Sequence, residues 1–158
     1  MGFYNNDGKV TWLKRLDTKR QLPFSIVMAD ANGLKLVNDT YGHEMGDEML
    51  KKAGEVLKLS IRKEDIVGRW GGDEFIILLP KTSKEKAEEI CKRIHENCNN
   101  SYINDIPVSM ALGTSAKNQV DEELKDVVKE AEDKMYKIKL AAIHLQWEEK
   151  FQFHHFHL

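Results

Sequence analysis

One stretch limits the architecture of this chain more than any other. Two apolar runs, Ile66 to Trp70 and Phe75 to Leu79, are separated only by Gly71-Gly72-Asp73-Glu74. Runs rich in β-branched and aromatic residues that break at a glycine pair predict two strands joined by a tight turn, and so an antiparallel sheet. The turn also has unusual chemistry. Its glycines let a backbone approach a bulky phosphate, and its adjacent acids offer oxygen ligands to a hard cation. Taken alone, these residues describe equally well an ordinary turn with two solvated acids. A second acidic strand end separates the two readings. Ser25-Ile26-Val27-Met28-Ala29-Asp30 is another β-rich apolar run that ends on a carboxylate, and Ala31-Asn32-Gly33-Leu34-Lys35 then enters a helical pattern. If the two strands are neighbours, Asp30 and Asp73 meet at one edge of the sheet, placed to bind Mg²⁺ through oxygen and water.

Periodicity supplies the remaining elements. Ala87, Ile90, Cys91, Ile94 and Cys98 recur at helical spacing after a Thr82-x-x-Glu85 capping box, which predicts an amphipathic helix from Thr82 to about Asn99. Leu50, Ala53, Val56, Leu57 and Ile61 predict a helix after Gly46, and Leu124, Val127, Val128, Ala131, Met135 and Ile138 predict another near the end. Strands are expected at Phe24 to Asp30, Ile66 to Trp70, Phe75 to Leu79 and Val108 to Thr114. The order β-α-α-β-β-α-β-α matches an α+β fold of ferredoxin-like or palm type, an antiparallel sheet with surrounding helices, expected on one face. The chain has 158 residues, 41% of them hydrophobic, enough for one core. A net charge of -2, with both signs interspersed, leaves no electrostatic footprint for a nucleic acid polymer. Cys91 and Cys98 fall on an apolar helical face and read as small buried hydrophobes in a reducing cytosol. No apolar run reaches membrane-spanning length and no signal peptide is visible, so a cytoplasmic location without membrane contact is expected, though a longer parent protein could be membrane-attached.

The chain resembles a GGDEF domain, the catalytic domain of diguanylate cyclases. The resemblance rests on Asp30 to Lys35, Asn38-Asp39 with Tyr41-Gly42-His43 and Gly46-Asp47, Arg62 to Phe75, and Asp133 to Lys139, in the family's order and spacing over roughly residues 2 to 140. It implies an enzyme that joins two GTP molecules into cyclic di-GMP with loss of two pyrophosphates. Mg²⁺ is the implied metal, with Mn²⁺ as an alternative. A homodimer is implied as well, because each protomer presents one GTP to the other and supplies half an active site.

Residue roles follow from the same resemblance. Asp30 and Asp73 are expected as metal ligands, helped by the carbonyl of Ala31, with Glu74 beside Asp73 as a second catalytic acid, ligand or base. Gly71 and Gly72 are expected at the substrate, together with the amides of Gly33 and Leu34, which open a helix and suit a phosphate. Lys139 matches the family's phosphate-contacting lysine. Four residues on, where the family usually places Arg, this chain has Ile143 after Ala142, so triphosphate binding is expected to be weaker. Asn38 and Asp47 are expected to select guanine, because an acid accepts from its N1–H and 2-amino group while adenine leaves that acceptor unsatisfied. On the residues alone, Asn38-Asp39 reads as a helix C-cap and Gly46-Asp47 as an N-cap. His43 is expected to be structural, bonding within its loop. Arg62-Lys63-Glu64-Asp65 stands where the family carries its Arg-x-x-Asp inhibitory site for its own product, with Arg93 as a further contact. Arginine stacks on guanine and bonds to its edge, although a surface salt pair at a helix end is the plain alternative.

The ends follow no family pattern. The chain starts inside the family's usual entry segment, at Gly2-Phe3-Tyr4-Asn5, with Asn6 where Arg is usual, so residues 1–140 read as a fragment of a longer protein that has left a sensory or dimerising segment behind. Residues 141–158, with Trp147 and His154-His155-Phe156-His157, read as a tail of unknown role; a His cluster can bind metal, but an origin in cloning is the reading preferred. Two other functions are compatible with parts of the pattern. A degenerate module could bind GTP or cyclic di-GMP as a sensor, and a palm-type cyclase or polymerase could act on another nucleotide. The intact Asp30, Asp73 and Glu74 argue against the first, and Asn38, Asp47 and Arg62-x-x-Asp65 against the second.

Overall fold

The computed structural model describes residues 13–155, and side chains through residue 144. The entry at Gly2 to Asn6 lies outside the described residues, as do the side chains of Trp147 and the terminal histidines. After a 3-10 turn at Lys19–Gln21 the elements are β1 (Phe24–Ala31), α1 (Leu34–Tyr41), α2 (His43–Ser60), β2 (Ile66–Arg69), β3 (Glu74–Leu79), α3 (Lys84–Asn99), a short hairpin of β4 (Tyr102–Ile103) and β5 (Ile106–Pro107), β6 (Met110–Lys117) and α4 (Leu124–His155). The main sheet is antiparallel in the order β2-β3-β1-β6. This is the expected α+β architecture.

The helices cover both faces of the sheet, not the one face expected. Val27, Ala29, Ile77, Leu79 and Leu112 pack against α1, α2 and α3. The alternate residues Phe24, Ile26, Met28, Ile76, Leu78 and Ala111 pack against Val127, Val128, Ala131 and Met135 of α4. Side chains alternate across a strand, so a strand buried along its whole length must be covered twice. β1 is such a strand. Its continuous apolar stretch from Ile26 to Ala29, without polar alternation, is the sequence trace of that double cover.

Three local expectations shift. The last strand begins at Met110 and runs to Lys117, because it pairs with all of β1, from Ala31↔Met110 to Phe24↔Lys117. The cap of α3 is Ser83, whose Oγ accepts from the Lys86 amide at 3.3 Å. Thr82 is buried instead, and its hydroxyl donates to the Pro80 carbonyl at 2.9 Å. Gly46 lies inside α2 rather than capping it, and a Cβ there would overlap the side chain of Asn38. His43 opens α2 and is exposed.

At Gly113 on β6 a Cβ would overlap the Ala131 carbonyl oxygen and the Met135 amide nitrogen of α4. Helix and strand therefore meet backbone to backbone. Burial pushes the Cys91 thiol up to about 12 and the Cys98 thiol to about 11, which suits the structural role expected of both. Among the described residues no helix is long and apolar enough to cross a membrane. α4 continues without a break through residues 140 and 141.

Candidate functional site

The register of the two central strands builds the site. β1 and β3 pair with Asp30 opposite Glu74, so the end of one strand meets the start of the other beside the glycine turn. The Ala31 amide donates to the Asp73 carbonyl at 3.2 Å and ties the two ends together. Within the turn the Trp70 amide donates to the Glu74 carbonyl at 2.8 Å, and the Arg69 guanidinium donates to the Gly72 carbonyl. Asp30, Ala31, Asp73 and Glu74 are thus brought together as expected, with Gly71 and Gly72 exposed at the tip.

Lys139 reaches this corner from α4. Its ammonium donates to Asp30 Oδ2 at 2.7 Å and lies 4.0 Å from Asp73 Oδ2. Asp30 is 1% exposed, and its second oxygen, Oδ1, is buried without a hydrogen-bond partner. Burial pushes the Asp30 carboxyl above the ordinary 3.8; the Lys139 hydrogen bond opposes that push, and the charges of Asp73 and Glu74 add to it. A buried carboxylate oxygen without a donor costs free energy unless a cation reaches it. The corner therefore suits a divalent cation on Asp30 and Asp73, with the Lys139 ammonium standing in for positive charge. Among the described residues no three His, Cys, Asp or Glu side chains form a metal cage. Mg²⁺ does not require one, since it commonly takes one or two carboxylates and completes its shell with water and phosphate oxygens.

An open groove of about 570 Å³ extends from the corner, lined by Ala31, Gly33, Leu34, Asp73, Lys139 and Ile143. Gly33 has φ 72 and precedes α1 without a side-chain cap, so the first amides of that helix are left to a ligand in the groove. Ile143 puts an apolar side chain on the wall facing them.

Other expected residues lie elsewhere. Asn38 fits against Gly46, one residue from Asp47. Asp47 is exposed and lines a separate hollow of about 580 Å³ with Lys51, Lys58, Arg69 and Phe75. Arg62 and Asp65 precede β2, at the end of the sheet away from the turn. Arg62 grips Asp65 through Nε at 3.1 Å and Nη2 at 3.0 Å, and Nη2 also donates to Thr82 Oγ1 at 2.6 Å. The Asp65 side chain is 0% exposed and that of Arg62 38%, so the two form an ion pair at the helix end that is buried on the acid side and open on the arginine side, a geometry that fits the salt-pair alternative as well. Arg93 joins the neighbourhood from α3, with Nε donating to the Ser60 carbonyl at 2.7 Å.

Two side chains beyond the sequence expectations complete the corner. The Tyr136 hydroxyl donates to Glu74 Oε1 at 2.7 Å, which pushes its own pKa up to about 12, and Trp70 Nε1 donates to Glu132 Oε1 at 2.9 Å. Glu132, Tyr136 and Lys139 have the spacing of one helix face, a signal already present in the sequence.

Known proteins resemble this chain in sequence and fold. The profile of a family described as "Diguanylate cyclase, GGDEF domain" matches residues 10–143. Diguanylate cyclase A of Treponema denticola is 34% identical over 119 residues, which cover 73% of this chain and 32% of that protein. Diguanylate cyclase DgcM of Escherichia coli K12 is 32% identical over 117 residues, covering 73% of this chain and 28% of that one. The chain thus spans about a third or less of these relatives' length. Among solved structures, the active GGEEF domain of a diguanylate cyclase from Vibrio cholerae superposes with a TM-score of 0.70 at 28% identity, covering 84% of this chain and 83% of that one. A microbial GGDEF domain studied with cyclic di-GMP gives 0.72 at 26% identity, covering 87% and 88%.

Proposed function

This chain belongs to the GGDEF family of diguanylate cyclases, and on that footing we propose that it condenses two GTP molecules into cyclic di-GMP and two pyrophosphates. The observation that carries the reading is the buried, unpartnered Oδ1 of Asp30, a carboxylate that Lys139 links to Asp73, where Asp73 and Lys139 line the groove. Asp30 and Asp73 hold Mg²⁺ or Mn²⁺, with the Ala31 carbonyl alongside. The metal, when bound, neutralises the triphosphate and lowers the pKa of the attacking hydroxyl. The amides of Gly33 and Leu34 and the Lys139 ammonium bind phosphate oxygens, while Gly71 and Gly72 leave room for the nucleotide to approach. Asn38 and Asp47 select guanine. Each 3′-hydroxyl attacks the α-phosphorus of the facing GTP, the bond to pyrophosphate breaks, and the hydroxyl proton leaves toward the carboxylate corner, where Glu74 stands. Two protomers are needed, each contributing one nucleotide. Arg62, Asp65 and Arg93 form a product-binding inhibitory site. Ile143 on the groove wall favours, as a second reading, a module that binds GTP or cyclic di-GMP with little turnover.

The test is incubation of the purified chain with GTP and Mg²⁺, with ATP in parallel, followed by chromatographic separation of the nucleotides. Cyclic di-GMP from GTP alone, abolished by Asp73→Ala, is expected. No product, with nucleotide still bound, overturns the cyclase reading in favour of the binding module.

A further inference from the structure

We propose that Tyr136 is a positioning residue for Glu74, fixing that carboxylate in one orientation at the metal-binding corner. The inference rests on the metal site proposed above and assigns a role to a residue outside it. Glu74 follows Asp73 directly and lies opposite Asp30 in the sheet, so its charge is repelled by two neighbours. A glutamate side chain has three rotatable bonds and would relieve that repulsion by swinging into solvent. One contact opposes this. Tyr136 donates to Oε1 at 2.7 Å, in the range of a charge-assisted bond to a carboxylate. Oε2 lies 3.3 Å from where a Cβ on Gly71 would stand, so the glycine leaves that oxygen its room. One oxygen is held, and the other keeps the space that the glycine gives it.

The bond does not exist to satisfy the tyrosine. Tyr136 is 45% exposed, so water could serve its hydroxyl. The side with something to gain is Glu74. Tyr136 is also the middle of three points at which one face of α4 holds the turn: Glu132 takes Trp70 on one side of it, and Lys139 takes Asp30 on the other. The helix therefore carries the tyrosine on a support already anchored to the same corner.

The test measures Mn²⁺ binding to the nucleotide-free full chain from the electron paramagnetic resonance signal of free Mn²⁺, in four forms: parent, Tyr136→Phe, Glu74→Gln and the double variant. Of the two roles open to Glu74, ligand and base, the test takes the ligand role, in which loss of the group that orients it weakens metal binding by about 10-fold or more. The expected result is that loss for Tyr136→Phe in the parent background, no further loss in the Glu74→Gln background, and an unchanged thermal midpoint. Unchanged Mn²⁺ affinity in Tyr136→Phe, or an equal loss in both backgrounds, overturns the role while leaving the cyclase reading in place. If the nucleotide-free parent binds no Mn²⁺, the positioning role is overturned, while the metal site, whose shell draws on phosphate oxygens, keeps its own test in metal-dependent turnover. Turnover does not enter the readout, so a chain that makes no cyclic di-GMP yet shows the expected pattern retains the positioning role.

Discussion

Asp30 carries its charge where burial opposes it, and this gives the residue a thermodynamic signature. Its folded pKa lies above the unfolded 3.8, so between those two values the native state binds more protons than the unfolded chain. Stability from this group is complete below the unfolded value and is lost as pH rises through the raised one. In metal-free buffer the unfolding free energy of the parent relative to Asp30→Asn should therefore fall as pH rises from about 4 toward 7, as read from urea titrations. Parallel curves would show that Asp30 is not strained. The sequence marks Asp30 by its place at a strand end, and Asp73 by the glycines before it. Tyr136 carries only its spacing from Glu132 and Lys139 on one helix face, which does not name its partner. A tyrosine on an amphipathic helix reads as packing until the partner strand's register shows that Glu74 lies within its reach.

The β2–β3 hairpin is held at both ends, by different chemistry. At its turn, α4 supplies Glu132 and Tyr136. At its open end, Arg62 joins the residues before β2 to those after β3, through Asp65 on one side and Thr82 and the Pro80 carbonyl on the other. Arg62→Ala leaves the Asp65 side chain buried with only the Arg62 amide at 2.8 Å as a donor. The expected outcome is a loss of about 1–3 kcal/mol in urea unfolding, together with relief of inhibition by added cyclic di-GMP. Undiminished inhibition would remove the product site from this end of the hairpin, whatever the stability change. Thr82 shows why the capping expectation missed by one residue. The pattern Thr82-x-x-Glu85 describes a capping box locally, but the hydroxyl was claimed by a long-range arginine, and Ser83 took the cap. Local spacing cannot register a partner 20 residues away in the chain.

At the scale of the whole molecule, element order and strand identity were legible because apolar period and glycine turns are local properties. The number of layers was less so. One helical layer was expected, yet the continuous apolar runs of β1 and β3 required two. The family profile matches residues 10–143, and the sequence motifs carry the resemblance over roughly residues 2 to 140. In the three-layer arrangement, Gly113 is where α4 touches the sheet without a side chain between them. That absent methyl works as a thickness gauge for the protein. Gly113→Ala would insert a shim under the helix that bears Glu132, Tyr136 and Lys139, and a misplacement near 1 Å can cost about 100-fold in rate. Circular dichroism should still report the α+β fold while cyclic di-GMP formation drops by about that factor; undiminished turnover would mean that the layers part without tilting. Such a variant would be a reference state of a particular kind, a catalyst with its full complement of reactive groups, disabled purely by dimension.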